Sequence, residues 1–185
     1  MLEEKSNVTI QNEENKTSLE MSLDDDNNNF DTVIEITCGT ENKQTFKINK
    51  KLLLIGELFK ASFEDDEENT SFEFPGILPR TFAEMIPYFE HHRGIKGHII
   101  PPPAKSKRMF DHCKDSWDAK YIDEMWESDR IVLYNVSYAA NYMDIKCLLS
   151  LCCCKIGTVI KGEPAHKIKS LLIPLDKTTE LETTE

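Results

Sequence analysis

Apolar and polar side chains alternate in two short stretches in the first third of the chain. Residues 33–38 (VIEITC) are rich in β-branched side chains, and residues 44–48 alternate again after a polar turn at 39–43. A period of two is typical of a strand with one buried face. The pattern therefore predicts a β-hairpin, and a third short strand is predicted at residues 72–74, before a Pro-Gly pair.

Elsewhere the central region repeats its apolar residues at helical steps of three and four. Helices are predicted over residues 50–63, 80–93, 117–122 and 128–142, then from Asp144 to Gly162, with a short helix after Pro164. Ser128 and Asp144 are the expected N-caps of the last two long helices. Pro87 lies inside the second predicted helix and should kink it. A small sheet with several packed helices predicts an α+β domain.

Charge is unevenly distributed along the 185 residues. The net charge is −11, but residues 1–30 carry −6 from two lysines and eight acidic residues, and residues 175–185 carry −3. The region between them, 31–174, therefore carries only −2. Because residues 1–30 contain no aromatic residue before Phe30, we expect a disordered acidic arm, or an arm that orders on a partner. Residues 175–185 are expected to form an acidic tail.

The acidic composition argues against two classes of partner. Nucleic acid and anionic membranes bind clustered basic surfaces, whereas this chain has 33 acidic residues against 22 basic ones. The first residues lack the basic and apolar segments of a secretory signal, and no run approaches the roughly 18 apolar residues of a membrane span. These patterns predict a soluble protein of the cytoplasm, the nucleus or both, free or within a larger cytoskeletal or other assembly.

Residue types that carry chemistry do not combine into a reactive motif. Cys152, Cys153 and Cys154 are consecutive and point in three directions around a helix, so they cannot all face one metal ion. His91 and His92 suit the negative end of their predicted helix. The chain has no nucleophile elbow, no phosphate-binding glycine loop and no H-E-x-x-H sequence, which leaves a lone cysteine–histidine pair as the catalytic alternative. We predict binding, with no catalytic residue, metal or cofactor.

Residues 94–116 are predicted to form a loop of unusual composition. Three consecutive prolines at 101–103 favour an extended polyproline segment. The loop is also the one basic stretch of the chain, which makes it a weak candidate for docking a partner, through Lys105, Lys107, Arg108 and Lys114.

One motif connects this order of elements to a known family. The stretch A-A-N-Y-M-D-I-K at residues 139–146 differs from the family sequence A-A-N-Y-L-D-I-K only at Met143. Weaker matches follow the family order: His91-His92-Arg93, the proline run at 101–103, Trp117-Asp118 and Ile160-Lys161-Gly162. On these motifs, residues 31–174 resemble the Skp-type adaptors of SCF ubiquitin ligases, which have a BTB/POZ fold.

The resemblance implies a two-part, non-catalytic adaptor that bridges an F-box protein to a cullin. A BTB/POZ-like domain would span residues 31–144, and Skp-type F-box-binding helices would span 145–174. In the family, the Asn-Tyr of the motif lies at the cullin contact, which implies that Asn141 and Tyr142 bind a cullin. Alternatively, these two residues have a structural role and form a helix-end cap and an edge of the core.

The F-box-binding helices supply a second set of candidates. The resemblance implies that an F-box helix contacts apolar residues that α-helical spacing leaves outside the core, namely Ile156, Ile160 and Leu172. The alternative is that all three pack internally.

Several departures from the family pattern favour a divergent paralogue. The family continues beyond the position of Pro174 with a tryptophan-containing segment that grips the F-box, so we expect part of this clamp to be absent here. Pro87 and the basic rather than acidic loop are further differences. A second hypothesis is therefore a structural subunit of a larger assembly that uses the Skp-like fold to hold one F-box-like partner without a cullin. Both hypotheses predict a hetero-oligomer.

Overall fold

The computed structural model describes residues 32–173, so the predicted acidic arm at 1–30 and tail at 175–185 lie outside the described residues. The described part is an α+β domain with a three-stranded sheet and seven α-helices. The strands are β1 (Val33–Cys38), β2 (Gln44–Asn49) and β3 (Ser71–Phe74). The helices are α1 (Lys50–Leu53), α2 (Glu57–Asp65), α3 (Pro79–His92), α4 (Ser116–Ser128), α5 (Arg130–Tyr142), α6 (Lys146–Ile160) and α7 (Ala165–Leu172).

The predicted hairpin is confirmed and forms most of the sheet. Strand β1 lies in the centre, antiparallel to β2 and parallel to β3. Ile34, Ile36 and Cys38 are fully buried, while the side chains between them are more exposed. The alternation in the sequence therefore reflects one sheet face that packs on the helices.

The prediction of one helix over residues 50–63 is wrong, because two helices occupy this stretch. Helix α1 ends at Leu53 and α2 begins at Glu57. Gly56 lies between them, and a Cβ there would come within 3.0 Å of the Met143 carbonyl oxygen. The backbone N–H groups of Glu57 and Leu58 donate to the carbonyls of Asp144 and Met143, respectively, at 3.4 and 3.3 Å. The helix is interrupted here because the first turn of α2 packs against the end of α5.

Helix α3 continues across Pro87 from Pro79 to His92. A proline supplies no N–H, so the carbonyl four residues before Pro87, that of Ala83, loses its helical donor. A side chain of the next helix donates to the neighbouring carbonyl in this turn. The Tyr121 hydroxyl of α4 donates to the Glu84 carbonyl at 2.8 Å. Burial raises the pKa of Tyr121, so this hydroxyl stays protonated and able to donate.

Helix ends differ from the predicted ones in three places. Helix α4 was expected only over residues 117–122 but extends to Ser128, because its buried stripe continues through Met125 and Trp126. Ser128 therefore ends α4, and the N-cap of α5 is Asp129, whose side chain accepts from the Ile131 N–H at 2.9 Å. The N-cap of α6 is Ile145 rather than Asp144, which adopts a left-handed φ of 51°.

Two histidine–aspartate pairs join the end of α3 to the start of α4. His91 Nε2 lies 2.7 Å from an Asp115 carboxylate oxygen, and its ring stacks on Trp117 at a centroid distance of 4.0 Å. His92 Nε2 lies 2.8 Å from Asp118, and both of these side chains are buried. The two histidines therefore tie α3 to α4, a role beyond the favourable helix-end charge that the sequence predicts.

The core runs through α5 and α6, where small side chains allow close packing. Ala139, Ala140, Leu133 and Leu148 are each fully buried in one continuous apolar cluster. Close packing makes such positions sensitive to the loss of even a few methylene groups.

We predict that Leu133→Ala lowers the free energy of unfolding by about 2–5 kcal/mol, because it removes buried area and leaves a cavity. Chemical denaturation measures this change. The matched control is Ile131→Ala on the same helix, where the side chain is 42% exposed and the expected loss is below about 1 kcal/mol. Equal losses for both variants would contradict the assigned core.

We predict that His91→Ala raises the pKa of Asp115. His91 is the largest contributor holding that pKa below its usual value, and the Trp117 N–H is the second. Only part of the lowering should disappear, because the Trp117 hydrogen bond at 2.9 Å remains.

A carboxyl with a lowered folded-state pKa stabilises the fold above its unfolded pKa, and this contribution is lost as pH falls through the folded value. The variant should therefore lose less stability than the wild type on acidification. A carboxyl-detected NMR titration measures the pKa. Asp111 is the internal control, since Arg108 is the main cause of its lowered pKa, and an unmoved Asp115 would contradict the pairing.

Candidate partner-binding surfaces

The first candidate surface lies on one face of α5. Ile131, Tyr138 and Tyr142 are 42%, 61% and 54% exposed, and steps of seven and four residues place them on the same side of the helix. Asn141 is exposed beside them at the last turn. We call these four residues the α5 surface. Large exposed apolar side chains in one row are unusual on a protein without a partner.

The two residues that the sequence singles out on this surface are placed together. The backbone carbonyl of Asn141 accepts from the Asp144 N–H at 3.2 Å and so helps to end α5. The Tyr142 ring packs edge-on against Phe74 of β3 at a centroid distance of 6.0 Å. Tyr142 is thus held by the sheet edge while more than half of it stays exposed. A rigid, amphipathic tyrosine is a favoured anchor in protein interfaces.

Tyr138 and Ile131 were not among the predicted site residues. Their positions relative to Tyr142 are visible in the sequence as a helical stripe. What the sequence does not reveal is which stripe of α5 is buried. In the structure, Val136, Ala139 and Ala140 form the buried side, which leaves the tyrosines outside.

The second candidate surface lies on α6 and α7 and contains Ile156, Ile160 and Leu172, which we call the α6–α7 surface. All three side chains are half-buried. Ile156 and Leu172 pack partly against the core, whereas Ile160 borders a surface groove. Each of the three therefore retains exposed apolar area, although Ile156 and Leu172 also pack internally.

Helix α7 has no fully buried residue and is held at its end by α5. The Arg130 guanidinium donates to the Leu171 carbonyl at 3.0 Å, and the Tyr134 hydroxyl donates to the Leu172 carbonyl at 2.6 Å. Arg130 also lies over the Trp126 ring, 4.9 Å from its centroid. These contacts fix the position of α7, while Ile168, Leu171 and Leu172 remain only half-buried.

A groove of about 570 Å³ runs along another part of α6. One wall is formed by Leu149, Cys153, Gly157 and Ile160, and the other by residues 99–104 of the proline loop. The sequence did not predict this groove, because it depends on where the loop folds back.

The basic loop is more internally paired than its sequence indicates. Lys107 forms an ion pair with Glu163 at 2.6 Å, and Arg108 binds both carboxylate oxygens of Asp111. Met109 is buried against Thr158 of α6. Two of its four cations are therefore engaged within the chain, which weakens the loop as a purely electrostatic docking segment.

The potential metal ligands and two of the cysteines in the described part of the chain bear on its chemistry. No group of three or more histidine, cysteine, aspartate or glutamate residues there could hold a metal ion. Burial raises the pKa of Cys38 to about 11 and that of Cys113 to about 12, so neither thiol is an activated nucleophile. Between residues 32 and 173, no helix is both long and apolar enough to cross a membrane.

Comparison with known proteins finds several relatives whose sequences align with most of this chain. A scan of protein-family models finds no match. The S-phase kinase-associated protein 1 homolog of Tetrahymena thermophila is 30% identical over 75% of this chain and 82% of that protein. The SCF subunit sconC of Arthroderma benhamiae is 30% identical over 68% of this chain and 74% of the relative. SKP1-like protein 1A of Arabidopsis thaliana is 26% identical, with 74% and 82% covered.

Proposed function

Because this chain belongs to the Skp1 family of SCF ubiquitin ligase subunits, with the family's BTB/POZ-like α+β fold, we propose that it is a non-catalytic adaptor that bridges an F-box protein to a cullin. The α5 surface would bind the cullin, and the α6–α7 surface would bind the F-box. The observation that carries this proposal is the presence of two partly exposed apolar surfaces, one on α5 and one on α6 and α7, with the A-A-N-Y-M-D-I-K motif joining α5 to α6.

The α5 surface has the character of a protein interface. Tyr138 and Tyr142 offer large side chains that lose little conformational entropy on binding, and Asn141 adds a polar group next to them. Tyr142 is oriented in advance by its packing on Phe74. A pre-positioned anchor lowers the entropic cost of association, which supports a stable contact with a protein partner.

The α6–α7 surface suits a partner helix. Two helices joined at Gly162 present half-buried apolar side chains, and a shallow apolar groove between helices commonly receives the apolar face of a third helix. The described residues of these helices lie in the region that we assigned to F-box binding, 145–174. For such an adaptor we propose a soluble location in the cytoplasm, the nucleus or both.

The second candidate is a structural subunit of a larger assembly that holds one F-box-like partner without a cullin, and it requires no cullin contact at the α5 surface. The exposure of Tyr138 and Tyr142 in one row supports a partner at this surface, which the adaptor provides directly. The two functions differ in a single measurable property, which is the presence of a cullin in the native complex.

We predict that the double variant Asn141→Lys, Tyr142→Lys loses its cullin. Two lysines would place charge in an apolar contact, and each interface anchor contributes about 2 kcal/mol or more, or roughly 30-fold in affinity. Affinity purification of tagged full-length chain from native extract, followed by quantitative mass spectrometry, measures cullin and F-box recovery. The control is Glu90→Lys, which makes the same charge change at an exposed position on α3.

Three outcomes separate the hypotheses. Cullin recovered with the wild type and the control, but not with the double variant, supports the adaptor and its cullin contact. One F-box-like partner with no cullin in any sample supports the structural subunit. Cullin retained by the double variant would contradict the role of Asn141 and Tyr142.

We predict that Ile156→Glu combined with Leu172→Glu abolishes F-box binding without loss of the cullin. A carboxylate in an apolar contact must be desolvated without a partner, so a loss of at least tenfold in affinity is expected. Isothermal titration with recombinant F-box domains measures it, and thermal melting checks folding. The matched control is Ser170→Glu, exposed on α7. Full F-box affinity in the folded double variant would contradict this surface.

A further inference from the structure

The groove along α6 has two walls of different origin. Helix α6 forms one wall, and residues 99–104, which we call the strap, form the other. The lining is almost entirely apolar and includes no acidic residue. A cleft of about 570 Å³ is large enough to take several aliphatic side chains.

The strap is fixed to α6 along its length rather than resting on it. At one end, the Ile100 N–H donates to Ser150 Oγ at 3.1 Å, and the Ile100 side chain is buried. At the other end, Lys161 Nζ donates to the Ala104 carbonyl at 3.0 Å. At this same end, the absence of a side chain at Gly157 allows Ala104 to lie close to α6, since a Cβ at Gly157 would lie 3.2 Å from Ala104 Cβ.

Further along the loop, two contacts hold the strap from the outside. Lys107 pairs with Glu163, just beyond the end of α6, and Met109 is buried near Thr158. The wall is therefore positioned before any partner arrives. Such pre-organisation favours a binding surface over a segment that must be ordered on contact.

The groove is continuous with the α6–α7 surface. Ile160 belongs to both, because it lines the groove and lies one helical turn after Ile156. A helix seated on Ile156 and Leu172 would reach the groove at Ile160. The lining contains one cation, Lys161, and its ammonium group is already bound to the Ala104 carbonyl. An apolar occupant therefore fits this groove better than a charged one.

We propose that the strap and α6 form a second, pre-built docking wall that receives aliphatic side chains of the same F-box partner. This inference rests on the proposed function and deepens it: the strap sets which F-box proteins this chain accepts. A partner with charged residues at the groove would be rejected, because the lining has no acidic group and its one cation, Lys161, is already bound to the Ala104 carbonyl.

The test combines two variants with one measurement on the unaltered chain. Gly157→Leu places a side chain in the groove and against Ala104 of the strap, and leucine favours helix more than glycine does, so the helix propensity of α6 is not reduced. Replacement of residues 99–104 by a Gly-Ser linker removes the wall. Recombinant F-box domains from the same organism are the probes, each titrated against full-length chain. Both variants should bind the best wild-type partner at least tenfold more weakly, with cullin binding unchanged.

Cys153 provides a direct readout of occupancy, because its side chain is exposed and lines the groove. Iodoacetamide should modify Cys153 in the free chain, and a saturating F-box domain should slow this reaction at least tenfold. Peptide mass spectrometry measures the rate. The measurement uses the wild-type protein and therefore does not depend on whether either variant folds.

The remaining outcomes overturn the inference in identifiable ways. Stronger F-box binding after removal of the strap would mean that it is a lid, and unchanged binding with unprotected Cys153 would mean that the groove is unused. Protection that grows with the concentration of this chain alone would identify a second copy as the occupant. If no F-box domain binds the wild type, the proposed function fails. If binding depends on Ile156 and Leu172 but not on the groove, only this inference fails.

Discussion

The corner between α5 and α6 is the constraint on which the rest of the structure depends. The chain reverses there through Asp144, in the left-handed region, and the carbonyls of Met143 and Asp144 accept the first N–H groups of α2. Gly56 allows this approach, since any side chain would meet the Met143 carbonyl. One tight contact therefore sets the end of α5, the start of α2 and the direction of α6.

This corner also separates the two candidate surfaces. Asn141 and Tyr142 lie in the last turn before it, and the α6–α7 surface begins after it. Met143 and Ile145, between them, are fully buried and anchor the corner in the core. A motif that is nearly identical to the family sequence thus has a structural role besides the binding role that we propose. Its buried residues fix the turn, and its exposed residues occupy the outside of that turn.

The sequence predicted elements where local periodicity and burial agree. Strand β1 and helix α3 are examples, because their buried residues recur at one period from end to end. Prediction from the sequence failed where contacts with another element determine where a helix begins or ends. The break at Gly56 exists because α5 ends against it, and Asp129 caps α5 where Ser128 completes α4. The same limit applies to the surfaces. Asn141 and Tyr142 could be selected from a sequence motif, whereas the groove could not be predicted because it depends on how residues 99–104 fold against α6.

An adaptor must hold two partners at a fixed separation, and the architecture suits this requirement. Helix α6 rises about 1.5 Å per residue, so Ile156, ten positions after Lys146, lies about 15 Å from it along the helix axis. Its inner side is buried through Leu148, Leu151 and Cys152, and its outer side is bound by the strap at Ser150 and Lys161. A helix held on both sides can act as a rigid spacer. The strap would then have two linked effects. Its contacts with α6 form part of the binding surface for the F-box protein, and the same contacts stiffen α6, which sets the distance between the F-box protein and the cullin.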